Sequence, residues 1–200
     1  MRFGISRIQS CRNSLFKNLP VHGNYKGHVI GLSADVQVLE GFWPHDKGIA
    51  VLHFDTMWDA QMWFNSVPDI KQQDWLDGVD MIAMPMTMQE PVERPFMQLL
   101  DMEFYDFERF SKEYSSQATS FWQDRGAKFG VVSTDNIVNF RGLWDARYIV
   151  MNLFQSCEDF EKTYNASEYA ALKEVRMQTA DSNVICCELE PLKVWPKSTC

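Results

Sequence analysis

Apolar and polar positions follow a repeated rhythm in the second half of the chain. Met97–Phe104 is a short, largely apolar run that reads as a strand, Asp106–Gln123 is a helical stretch, and Lys128–Ser133 reads as a strand again. After a Gly-x-Trp landmark, Arg147–Phe154 is rich in β-branched and aromatic residues, as a strand would be. Ser156-Cys157-Glu158-Asp159 then offers a helix start. A serine oxygen there can accept from an orphan backbone N–H, and the acids suit the positive end of the helix dipole. Asn183–Leu189 closes the half as a strand. The order β-α-β-β-α-β predicts a ferredoxin-like unit. A shorter version opens the chain, with Arg2–Ser6 as first strand and roughly Arg7–Leu19 as helix.

The two halves share more than this order. Gly41-Phe42-Trp43 matches Gly142-Leu143-Trp144 at an offset of 101, and Phe54, Asp59, Phe64 and Asn65 match Phe154, Asp159, Tyr164 and Asn165 at an offset of 100. The expectation is an internal duplication. It divides the chain into a degenerate first repeat (1–88), a linker (89–95) whose Pro91 and Pro95 favour extended chain, a second repeat (96–191) and a C-terminal tail (192–200). A four-stranded sheet with helices on one face needs its other face covered, and a second copy of the sheet can cover it. The fold class expected is α+β: two ferredoxin-like repeats whose antiparallel sheets pack into an intramolecular dimeric α+β barrel.

Composition narrows the function classes. Apolar residues make up 46% of the 200 residues, which suits a packed globular chain, and no apolar run reaches the roughly 18–20 residues of a membrane span. Five basic residues and no acid fall in 1–34, so the net charge of −8 leaves −13 on the rest. Such an acidic body argues against a nucleic-acid partner. The basic start reads as the first strand and helix, with a mitochondrial transit peptide as the alternative. The compartment expected is accordingly cytoplasmic, or the mitochondrial matrix on that alternative. Cys11, Cys157, Cys186, Cys187 and Cys200 have no metal or disulfide spacing, and adjacent Cys186 and Cys187 in a strand would face opposite ways.

Several clusters carry candidate chemistry. His22, His28, His45 and His53 match no compact ligand spacing, and His53, beside Phe54 and Asp55, is the one placed to act if it faces the barrel interior. Met84, Met86 and Met88 could present thioethers on one face, though packing is the expected role. Trp43, Trp144, Tyr164, Tyr169 and Arg176 could line an apolar pocket with one cation for a carboxylate, or the tryptophans could anchor the sheet interface. No nucleophile elbow, P-loop, zinc-protease helix or dinucleotide fingerprint is present. No catalytic residue, metal or cofactor is therefore assigned.

The run Asp106-Phe107-Glu108 with Tyr114, then Gly126-Ala127-Lys128-Phe129, Arg141-Gly142-Leu143-Trp144, Phe154-Gln155-Ser156, Ala166-Ser167-Glu168-Tyr169 and Arg176 resembles the family catalogued as domain of unknown function thirteen-thirty. The first half keeps Leu39-Glu40-Gly41-Phe42-Trp43 but has Val67-Pro68-Asp69-Ile70 where the family's Ser-Glu-Tyr would fall, and no Arg near Trp75 and Leu76. The resemblance implies a dimeric α+β barrel and no assigned activity. The functional expectation is an uncharacterised, non-catalytic protein that binds a small apolar or carboxylate-bearing molecule through His53, Trp43, Trp144, Tyr164, Tyr169 and Arg176. Cofactor-independent isomerase or monooxygenase-like chemistry at His53 or Arg176 is the enzyme alternative, and self-association is the structural one.

Overall fold

The computed structural model describes residues 1–18, 27–66, 76–85, 96–132 and 136–191. The expected linker 89–95, the tail 192–200, residues 67–70, Trp75, His22, Met86, Met88 and Cys200 lie outside the described residues.

Ten strands are described: β1 (Arg2–Gly4), β2 (His28–Ser33), β3 (Gln37–Glu40), β4 (Lys47–His53), β5 (Met81–Ala83), β6 (Phe96–Phe104), β7 (Lys128–Val132), β8 (Val138–Arg141), β9 (Ile149–Phe154) and β10 (Ala180–Glu188). They form antiparallel sheets in the orders β1-β4-β2, β3-β10-β6-β9-β7 and β5-β8. The helices are α1 (Ile8–Asn18), α2 (Met57–Ser66), α3, α4 (Cys157–Tyr164) and α5 (Ser167–Thr179). Helix α3 is continuous through Phe107–Arg109, a π-helical Phe110–Ser115 and Ser116–Asp124. The fold is of the α+β class, mixing helices with antiparallel sheets in a manner compatible with ferredoxin-like folds.

Local chemistry explains where these elements start and stop. Ser156 accepts from Asp159 N–H at 3.1 Å to open α4, and Thr56 accepts from Asp59 N–H at 3.0 Å to open α2. Helix α3 closes on Gly126 at φ +85, where Gly126 and Ala127 N–H groups donate to the carbonyls of Gln123 and Trp122, so both orphan acceptors are satisfied.

Strands β6, β9 and β10 are buried on both faces. One face packs with α3, α4 and α5 through Leu100, Met102, Phe154, Val184 and Cys186. The other joins Met97, Leu99, Met151, Ile185 and Cys187 to Ile30, Trp43 and Ile49 of the first half. Cys186 and Cys187 accordingly fall in different cores, as strand alternation requires.

Two strands cross between halves. β3 lies on β10, with Val38 opposite Ile185, and β8 lies on β5, with Ile82 opposite Asn139. Each crossing ends at a positive-φ glycine, Gly41 at +69 and Gly142 at +86. The next N–H is held by an Asx side chain of the other half: Phe42 N donates to Asn183 Oδ1 at 2.7 Å, and Leu143 N to Asp80 Oδ1 at 2.8 Å.

Candidate functional site

A cavity of about 410 Å³ lies between β4, β5 and α2 and reaches residues of the second half. Thr56 and Asp59 cap α2 as Ser156 and Asp159 cap α4, two similar caps at an offset of 100 in the sequence. At that offset Ala60 stands against Phe160 in the sequence. Phe160 fills its site, with its ring centroid 5.2 Å from Phe96 and 5.3 Å from both Phe154 and Tyr164. Ala60 is among the residues that line the cavity.

The walls are mostly apolar. Met57, Met81, Met84 and Met151 supply flexible thioethers, and Trp63, Phe54, Phe140 and Trp144 supply rings. Polar side chains cluster in one short run, His53, Asp55 and Thr56, where β4 hands over to α2. His53 sits against His28, ring centroids 4.6 Å apart, and its Nδ1 is closed off from solvent without a hydrogen-bond partner among the described residues. Burial, and then the neighbouring His53, lower the His28 pKa against a weaker opposing pull from Asp55.

A second polar cluster forms on the opposite side, where β3 meets α4 and α5. Arg176, wholly buried, donates from Nη2 to both oxygens of Glu40 at 2.8 Å. Tyr164 Oη donates to Glu40 Oε1 at 2.5 Å, and Lys173 Nζ stands 2.9 Å from the same oxygen. Burial alone would raise the Glu40 pKa. The Tyr164 hydroxyl, Arg176 and Lys173 outweigh it and hold the carboxyl below its ordinary value. Burial opposes charge on Arg176, but Tyr169, Tyr114 and Glu40 more than offset it and raise its pKa. Tyr114 belongs to the π-helical part of α3, where Ser116 N–H reaches back five residues to Ser111 O. Glu40 engages Arg176 through Nη2, while Arg176 Nε and Nη1 are buried with no hydrogen-bond partner among the described residues.

The six residues expected to form a site are thus divided. His53 and Trp144 line the cavity. Trp43 meets Trp144 edge-on at 5.6 Å, with the Arg2 guanidinium 5.4 Å from the Trp43 ring and 4.5 Å from the Trp144 ring. Tyr164, Tyr169 and Arg176 gather around Glu40 and do not line the cavity. Trp144 also donates to Asp101 at 2.8 Å. Sequence reasoning missed Ala60, although its offset of 100 from Phe160 was readable, and missed Glu40 as the partner of Arg176. The clamp residues are not matched at positions offset by about 100 in the sequence: Phe64 stands against Tyr164, Arg141 against Glu40, and buried Leu76 against Arg176. Among the described residues no group of three His, Cys, Asp or Glu side chains is arranged to hold a metal, and no helix is long and apolar enough to cross a membrane.

The described residues form an antiparallel α+β fold with a largely apolar cavity and a buried Arg176–Glu40 pair. Residues 98–189, from within β6 to just past β10, match the family model described as domain of unknown function (DUF1330). A single copy is matched. No curated protein matches the chain.

Proposed function

We propose that this chain is two fused ferredoxin-like repeats forming the intramolecular counterpart of a dimeric barrel, and that it binds a small apolar molecule in the cavity beside Ala60. The reciprocal placement of β3 on β10 and β8 on β5 supports the first part. The observation that carries the second is the largely apolar cavity of about 410 Å³, which Ala60 borders at the position offset by 100 from Phe160. That volume falls within the roughly 300–1,000 Å³ typical of small-molecule sites. The pair of Arg176 and Glu40 is read as structural, because Glu40 meets the cation at Nη2 and the pair does not border this cavity.

The experiment is titration with the neutral fluorescent probe N-phenyl-1-naphthylamine. One saturable site is expected, weakened at least about tenfold in Ala60→Phe while the circular dichroism spectrum is unchanged. Absence of saturable binding, or equal affinity in a folded Ala60→Phe protein, overturns the reading.

A further inference from the structure

Where β2 begins and β4 ends, the antiparallel register sets His28 directly opposite His53. Residues paired in this way send their side chains to one face, and the two imidazole ring centres stand 4.6 Å apart. We infer that this cross-strand pair is a binding site for one divalent cation of the kind that prefers imidazole nitrogen, zinc above all.

Metal geometry accounts for the spacing. A cation bound at about 2.0–2.1 Å by two imidazole nitrogens, with roughly 90–110° between the bonds, holds the ring centres about 4.5–5 Å apart. The observed separation falls in that range, so ring rotation, without movement of the strands, brings one nitrogen of each ring to a shared ion. His53 Nδ1 is closed off from solvent and has no hydrogen-bond partner among the described residues, an orphan that a metal bond would satisfy. Closure to water does not bar an ion, because a metal–nitrogen bond is about 0.8 Å shorter than a hydrogen bond.

Neighbouring charge does not oppose a positive ion. Asp55 is near enough for its charge to act on His28, and it has an interaction of its own, so it counts as a nearby charge and not as a ligand. The Met1 amino group donates to Ala50 O, and burial above all lowers its pKa to about 5, so at pH 7 it carries no charge to repel the ion. No group of three His, Cys, Asp or Glu forms among the described residues. Two protein ligands therefore leave half of a four-coordinate shell for water, or for a donor atom of a molecule in the adjoining cavity, which His53 lines. Metal binding here is independent of the apolar-ligand reading of that cavity.

The test titrates the full chain with zinc chloride at pH 7, in a Cys157→Ser, Cys200→Ser background that removes the exposed thiol and the C-terminal one. One saturable site per chain is expected, weakened at least about tenfold by His28→Gln and by His53→Gln and unchanged by His45→Gln. The imidazole nitrogen resonances of the background protein read the ligands directly: those of His28 and His53 should move together as one equivalent of zinc is added. Absence of saturable binding, undiminished affinity in folded His28→Gln and His53→Gln proteins, or shifts confined to His22 or His45 overturn the inference. Should a variant fail to fold, the nitrogen spectrum of the background protein decides alone.

Discussion

Glu40 and Arg176 lie 136 positions apart, yet a single guanidinium nitrogen donates to both oxygens of the carboxylate at 2.8 Å. Arg176 is fully buried and the Glu40 side chain is 13% exposed, so this pair is held largely away from water. Removing one partner strands the other. Glu40→Ala is expected to cost about 3–5 kcal/mol in urea denaturation, and the double change Glu40→Leu with Arg176→Met to recover much of it. A single substitution that costs under about 1 kcal/mol would contradict the clamp.

The same pair sets a pH dependence. The folded-state pKa of Glu40 is lowered, burial being outweighed by Tyr164, Arg176 and Lys173. Its contribution is therefore complete above the unfolded carboxyl pKa, near 4.3, and is lost as pH falls through the folded value. Urea midpoints of wild type and Glu40→Gln should differ most at neutral pH and converge on acidification below about pH 4.5. A constant difference down to strongly acid pH would show that Glu40 acts through packing instead of charge.

The two crossing turns should resist any side chain. Gly41 and Gly142 have φ of +69 and +86, and a Cβ on either would run into the side chain that receives the next N–H, Asn183 and Asp80 respectively. Gly142→Ala is expected to lower stability by more than about 1 kcal/mol, and Gly41→Ala likewise. Gly126→Ala meets nothing within 4 Å and pays only the positive-φ penalty. Thermal midpoints of the three variants, ranked with Gly126→Ala least affected, check this.

Much of the second half was readable because its signals are local. The apolar rhythm and the Ser156 cap placed α4 where it is found, and strand alternation put Cys186 and Cys187 in separate cores. Partners of β3 and β8 leave no local trace, since Gln37 meets Cys186 across 149 positions. The π-helical turn that carries Tyr114 has no periodic signature either. Arg176 looked available for a ligand because its counter-ion is written in the other half, at Glu40. The cavity leaves no local trace either, since its lining is drawn from positions as far apart as Met1 and Met151, and an alanine such as Ala60 announces nothing by itself.

Thiol accessibility gives a further check on the core. Cys11, Cys186 and Cys187 are buried, and burial pushes Cys11 and Cys187 up to about 12 and Cys186 to about 11, while Cys157 is exposed. In a Cys200→Ser background, a chromogenic disulfide should react with one thiol in the folded protein and four after denaturation. More than one fast thiol in the native state would mean that the sheet core opens readily.

The crossing of β3 onto β10 also bears on how the chain is made. A ribosome extends it at about 5–20 residues per second, so Gln37 waits several seconds after synthesis before Cys186 exists to receive it. Until then β3 is a loose edge, and the carboxylate of Glu40 is exposed to water. Completion of the protein is thus a late event in translation, and a chain stalled before β10 leaves the tunnel with an open strand seeking any edge that will pair.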